Sequence, residues 1–332
     1  MPKKRYPPNT AGSRIVTAFP RVKIGEKIKD VEKTLLEEAH KFDAIDYVYV
    51  VDDNNALKGV ISIKELHASN KDADVEQIMK KKLVVARPLS HQETIVYLAL
   101  SNKIKAIPVV DREKHLLGIV PYDTILEIFN EEVREDVFKF GGIFHKVGKE
   151  YTTIKSSAVT MIKTRLPWLV IGVLGGTITA SVISSFEHVL NTLLALAAFA
   201  PVLAYLSDAV GTQSETLVVR SIALDPKLSL KSYFAREFAV ALSLALTCAF
   251  LLSAIAFVGW RNSTLGLIVG VSMFLSIISA VLISTGFPFL FKKANLDPAV
   301  ASGPFATMIS DVATVTIYFT VASLLLVFFG LM

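Results

Sequence analysis

Asp311 is the one charged residue between Asp297 and the C-terminus, and it stands inside an apolar stretch covering 299–330. A bilayer crossing needs about 20 apolar residues, so the stretch is long enough. A carboxylate at the centre of such a helix costs about 2.5–3.5 kcal/mol even on lenient scales, which predicts that it faces a cavity, a partner or a cation. Helical spacing places Thr307 four residues before it, Thr314 three after and Tyr318 seven after, so oxygen-bearing side chains share its stripe. The alternative is a protonated carboxyl hydrogen-bonded between helices.

Two further groups of acids qualify. Residues 206–215 read Leu-Ser-Asp-Ala-Val-Gly-Thr-Gln-Ser-Glu inside the second apolar stretch. That polarity predicts a broken membrane helix, a device tolerated where backbone lines protein or a water-filled path. Helical spacing would put Asp208, Thr212 and Glu215 on one face. The competing reading of Glu215 is a surface acid paired with Arg220. Further upstream, Glu131, Glu132, Glu135 and Asp136 end a helical run over 127–136. Charge runs usually form a solvated face, but carboxylates from several chain positions also suit a hard divalent cation.

Two unlike halves must position these residues. Of 65 charged residues only 14 lie in 166–332, seven acidic and seven basic, so the first 165 residues carry the whole net charge of +5. This modest, mixed-sign basicity suits a membrane-proximal location and gives no reason to expect nucleic acid as a partner. The opening ten residues are polar and proline-bearing, unlike a signal peptide, which predicts a cytoplasmic head. Cys248, the lone cysteine, is expected to be a small buried hydrophobe.

The head is an internal duplication with an offset of 59 residues: 48–66 reads VYVVDDNNALKGVISIKEL and 107–125 reads IPVVDREKHLLGIVPYDTI. Each copy predicts strand, polar turn, a second strand starting at Gly59 or Gly118, and a helix, with an amphipathic helix upstream over 28–42 or 91–102. The pattern resembles a pair of cystathionine-β-synthase (CBS) domains. That resemblance implies an adenine nucleotide as a possible ligand, with Glu65 and Asp123 near the helix starts as the acids for its ribose hydroxyls. Both residues also suit a helix N-terminus through the macrodipole alone.

Five apolar segments follow, over 166–186, 190–219, 233–258, 265–291 and 299–330. Lys163, Arg165, Arg220, Lys227, Lys231, Arg236, Lys292 and Lys293 fall in one set of loops, and Glu187, His188 and Arg261 in the other. The positive-inside rule then puts the N-terminus in the cytoplasm and the C-terminus outside. Residues 151–164, with Lys155, predict an amphipathic approach helix.

The combination resembles the MgtE family of magnesium channels and transporters. Carrying the likeness are Arg165-Leu166-Pro167-Trp168-Leu169, the run from Gly211-Thr212-Gln213-Ser214-Glu215 to Arg220, Phe287-Pro288-Phe289-Leu290 with Asp297-Pro298, and Ile309-Ser310-Asp311-Val312. The resemblance implies an α+β cytoplasmic tandem CBS pair followed by an all-α five-helix transmembrane domain. Its parts are a polar tail over 1–14, CBS repeats over 15–72 and 73–132, connecting and approach helices over 133–164, and the membrane domain over 165–332. It implies a homodimeric, multi-pass cell-membrane protein in the lipid bilayer, with Asp311 lining a Mg²⁺ pore and Thr307 supplying a carbonyl nearby. Asp208, Glu215 and Thr314 join them as expected metal ligands, and Glu131, Glu132, Glu135 and Asp136 as expected sensors of cytosolic Mg²⁺. The chain departs from the family where Leu206-Ser207-Asp208 replaces glycines and asparagine, and eukaryotic solute-carrier relatives, some of which exchange Mg²⁺ for Na⁺, also carry acids there. A helical N-terminal domain found in many members is expected to be absent. No enzyme activity is expected: an intramembrane zinc protease needs a motif such as H-E-x-x-H, and His188 has no such companion. A CBS-bearing sensor without transport is the other class considered.

Overall fold

The computed structural model describes residues 6–143, 157–224, 228–294, 297–298 and 303–332. Expectations resting on Lys155, on Lys227 and on the start of the last apolar segment at 299 lie outside the described residues. The chain divides into two compact units, Met1–Val133 and Arg134–Met332.

The first unit is α+β. Its elements are β1 (Arg21–Lys23), α1 (Ile28–Glu38), β2 (Tyr47–Val51), β3 (Leu57–Ser62), α2 (Ile63–Ala68), α3 (Val75–Ile78), α4 (Gln92–Asn102), β4 (Ile107–Val110), β5 (Leu116–Val120) and the start of α5 (Tyr122–Phe140). β2 pairs parallel with β1 and antiparallel with β3, and β4 pairs antiparallel with β5. The duplication survives in fine detail. The β2–β3 ladder slips between Val50 and Val51 and the β4–β5 ladder between Val109 and Val110, at the same offset of 59. Asn55 and Lys114 occupy the left-handed region in the two turns, at φ 62° and 70°. Asp52 and Asp111 each accept backbone N–H bonds across their own turn, the local chemistry that makes Asp a turn former. Alternate side chains of β2 and β3 divide between two apolar clusters, one around Ile28, Val48 and Ile61, the other around Phe19, Tyr49 and Leu116.

The second unit is helical: the end of α5, α6 (Ala158–Ser185), α7 (Glu187–Thr192), α8 (Leu196–Leu224), α9 (Leu230–Trp260), α10 (Ser263–Lys293) and α11 (Pro304–Phe328). Five of these are long. By length and composition α6, α9, α10 and α11 can each cross a membrane; α8 is as long but carries Asp208, Glu215 and Arg220. α10 is the axis of the unit, packed against α8, α9 and α11. Small residues permit that closeness: a Cβ on Gly211 of α8 would lie 2.9 Å from Ser284 Oγ, and one on Gly270 2.9 Å from Ser253 Cβ. By contrast α6 and α9 leave large apolar side chains exposed, among them Leu169, Val173, Phe250 and Val258.

The expected break within 206–215 is not found. α8 runs unbroken through it, and the interruption falls earlier, at 193–195 between α7 and α8. Ser207, Ser214 and Glu215 are buried, so the polar residues meet other helices and the backbone there keeps its helical bonds.

Candidate cation site

α8 and α11 run antiparallel, tied at two levels. At one, Tyr318 donates its hydroxyl proton to the Leu196 carbonyl at 2.8 Å. At the other, Glu215 accepts a hydrogen bond from the backbone N–H of Gly303, the residue preceding α11. This register brings Asp208 of α8 toward Asp311 of α11, and Asp208 acts electrostatically on both Asp311 and Glu215. The three expected carboxylates therefore belong to one neighbourhood. Asp311 is half-buried, Thr314 is buried and Thr307 is half-buried. Tyr318 leaves the expected oxygen-bearing stripe: it is buried, and its hydroxyl is engaged in holding the start of α8.

Glu215 is 2% exposed, which overturns its reading as a surface acid paired with Arg220. Its Oε1 has no hydrogen-bond partner among the described residues. It lines an open cleft of about 480 Å³ together with Thr212, Thr216, Thr307, Gly303 and the end of α5, Phe140 and Gly141. Gly303 shapes this corner. Its backbone is at φ 68° and ψ −135°, a region essentially reserved for glycine, and a Cβ there would lie 2.7 Å from the Phe140 carbonyl oxygen. The signal that could have found it was the Gly303-Pro304 pair, a helix-start pattern with proline at the first helical position.

A second residue not anticipated is Lys139. It pairs with Glu135 at 2.7 Å and with Asp297 in a closer contact. Burial works to lower its pKa, but the hydrogen bonds and charges of Asp297 and Glu135 prevail and raise it above the ordinary lysine value. Asp297 thereby links the end of α5 to the segment before α11.

The acids of α5 are not gathered at one point. Glu131 pairs with Arg14, and Glu132 accepts a hydrogen bond from Gln92 at 2.6 Å, both in the first unit. Glu135 pairs with Lys139 in the second unit, where Asp136 also lies. Of the acids expected to meet a nucleotide, Glu65 is already engaged. It completes a capping box with Ser62 at the start of α2, and its other oxygen pairs with Lys80 at 2.7 Å. Lys80 and Ser62 together hold the Glu65 carboxyl below its ordinary pKa, against the opposing effect of burial. In the second copy Pro121 and Thr124 replace Ser62 and Glu65, and Asp123 is exposed.

Comparison with known proteins bears on the whole chain. Residues 200–321 match the MgtE divalent cation transporter family, and 14–69 and 75–131 each match a CBS domain. The chain is 35% identical over 326 residues to the magnesium transporter MgtE of Thermus thermophilus, covering 97% of this chain and 71% of that protein. The chain belongs to the MgtE family. The magnesium transporter MgtE of Bacillus subtilis is 31% identical over 320 residues, covering 96% of this MgtE-family chain and 70% of its relative. Among solved structures, the cytosolic domain of the Mg²⁺ channel MgtE in complex with ATP is 32% identical with a TM-score of 0.36, covering 37% of this chain and 50% of that one. As an MgtE-family member with four helices able to cross a bilayer, the chain is a multi-pass membrane protein, and divalent cation transport is its activity class.

Proposed function

We propose that the protein carries Mg²⁺ across the membrane as a homodimer, with Asp311 as the ligand of a hydrated ion. The observation that carries this reading is the placement of Asp311: it is the only charged residue of α11, half-buried, with Asp208 of α8 acting on it and no basic side chain among the described residues of either stripe. Two carboxylates held together in a medium of low dielectric repel strongly unless a cation stands between them. Magnesium suits such a place because it keeps most of its waters and takes few protein oxygens directly. Thr307 and Thr314, one turn to either side of Asp311, supply neutral oxygens. A dimer would bring a second Asp311 near the same axis, enough charge to neutralise one divalent ion.

In this reading residues 15–132 form a regulatory module on the cytoplasmic side, 133–164 the connection, and 165–332 the transport domain with its C-terminus outside. Glu131, Glu132, Glu135 and Asp136 respond to cytosolic Mg²⁺, which competes for carboxylates now held by Arg14, Gln92 and Lys139. Asp123, rather than Glu65, is the acid open to the ribose of an adenine nucleotide. Asp208, the family departure, favours a second reading in which Na⁺ exchange drives Mg²⁺ movement.

The test is Mg²⁺ flux through purified protein in liposomes, with and without a Na⁺ gradient. Asp311→Ala is expected to abolish flux while leaving the oligomer intact, and undiminished flux refutes the assignment. Flux that vanishes without Na⁺ selects the exchanger.

A further inference from the structure

We infer that Gly175 of α6 positions the ion site: it is the seat of Met308, and this seat sets the rotation of α11 that aims Thr307 and Asp311. The inference rests on the transport reading above and names a positioning element for the same site. α6 turns one narrow stripe toward the rest of its unit. Trp168, Ile171, Thr179 and Val182 are half-buried at three- and four-residue spacing, and Gly175, in their midst, is the one buried residue of the helix. The other residues between Trp168 and Val182 are exposed.

Two contacts fix how this stripe lies on α11. Gly175 faces Met308: an added Cβ would overlap Met308 Cγ and stand 2.6 Å from Sδ and 3.2 Å from Cβ. Phe186, at the C-terminal cap of α6, stacks on Phe319 with ring centroids 5.6 Å apart. Gly175 and Phe186 are eleven residues apart, as are Met308 and Phe319, so the two helices run parallel and in step for about three turns. Gly172 and Gly176, the neighbouring glycines of α6, have nothing within 4 Å of an added Cβ. Of the three, Gly175 alone has another side chain seated where its own is missing.

Met308 follows Thr307 directly and precedes Asp311 by three residues, so it lies one helical turn from the carboxylate. Accommodating Gly175→Ala requires about 1 Å of movement to bring Sδ to an ordinary contact of about 3.5–4 Å. Rotating the methionine chain moves Cγ and Sδ, but Cβ is fixed to the backbone of α11 and has to give way with it. Binding constellations keep their geometry to within about 0.5 Å, so a shift of this size in α11 is felt at the ion.

The experiment measures Mg²⁺ flux against Mg²⁺ concentration for the full chain in liposomes. Gly175→Ala is expected to raise the half-saturating Mg²⁺ about tenfold, the loss typical of a residue that orients a metal ligand, while Gly172→Ala and Gly176→Ala leave it unchanged. Adding Met308→Ala removes Cγ and Sδ, the colliding atoms, and should recover most of that loss. A role in packing alone lowers the yield of folded protein and the maximal flux without moving half-saturation. That outcome, or an equal shift in all three glycine variants, overturns the inference. Should Gly175→Ala fail to fold, Met308→Ala empties the seat instead: raised half-saturation supports the inference and an unchanged value overturns it. Mn²⁺ affinity of the purified chain, read by electron paramagnetic resonance as the signal that Asp311→Ala removes, separates the two readings. A wild-type chain that passes no Mg²⁺, yet loses Mn²⁺ affinity in Gly175→Ala, refutes the transport reading alone. Flux that depends on Asp311 but not on Gly175 refutes the seat alone.

Discussion

Gly303→Ala is the substitution whose cost the structure specifies best. Gly303 sits at φ 68° and ψ −135°, and forcing a residue with a side chain into such a region costs about 1–3 kcal/mol. The added Cβ would also lie 2.7 Å from the Phe140 carbonyl oxygen and 3.2 Å from that of Lys139. Backbone atoms cannot rotate away as a side-chain tip does, so overpacking adds about 1–3 kcal/mol. The sum, about 2–6 kcal/mol, corresponds to a fall of at least about 4 °C in melting midpoint for a unit of this size. Gly330→Ala is the control: its φ is 66° but nothing lies within 4 Å of the new Cβ, so only the backbone cost remains. The assay is loss of monodispersity on heating in detergent, at one scan rate because such unfolding is commonly irreversible. Displacing Gly303 should also loosen the end of α5 and with it the Lys139–Asp297 pair. Asp297→Asn is then expected to destabilise the wild type but add little to Gly303→Ala. Equal midpoints for the two glycine variants, or strict additivity with Asp297→Asn, would refute the reasoning.

Ser62→Ala removes one half of the α2 capping box and should cost the head about 1 kcal/mol; hydrogen exchange of α2 amides reads it, and Thr124→Ala in the second copy should have no matching effect. Tyr318→Phe leaves the Leu196 carbonyl without its buried donor and should lower the detergent melting midpoint by an amount equivalent to about 1–2 kcal/mol. Magnesium flux should survive in Tyr318→Phe, and its loss would return Tyr318 to the ion path. The hydrogen bond from Lys71 holds the Glu32 carboxyl below its ordinary 4.5, with burial opposing and His67 assisting. A lowered carboxyl stabilises the fold above 4.5 and loses that contribution as pH falls through the folded value, so the head should melt more easily as pH falls below 4.5, and Glu32→Gln should flatten that dependence.

What was legible in the sequence is what is encoded locally. The duplicated turns needed only Asp52 and Asp111 with their neighbours, and the structure repeats even the ladder slip at the 59-residue offset. Asp311 was legible because a single charge in an apolar stretch is conspicuous at any register. Glu65 was ambiguous for a local reason as well, since Ser62 three residues before it forms a capping-box pattern. Lys139 was not legible. Its partner Asp297 lies 158 residues away, and nothing near either residue singles out the other. The same holds for Glu215 and Gly303, whose contact depends on the antiparallel register of α8 and α11.

The misread break in α8 shows what polarity in a membrane helix encodes. Ser207, Gly211, Ser214 and Glu215 are all buried and recur at helical spacing, so they form one stripe turned toward neighbouring helices. Unwinding the backbone beneath them would release up to four N–H and four C=O groups where no water could meet them. Keeping the helix and burying small polar side chains against α10 costs far less, and Gly211 against Ser284 shows how closely the helices then approach. The break that does occur is at Leu193-Leu194-Ala195, with no polar residue in it. There Leu196, Ala197 and Ala198 each donate to the carbonyl three residues earlier, so the turn tightens and its polar groups stay paired. Hydropathy reports where side chains face, whereas continuity is decided by whether the main chain can satisfy itself. The polar decade of α8 is therefore a lateral surface, and it is the surface on which Asp208 and Glu215 meet α11.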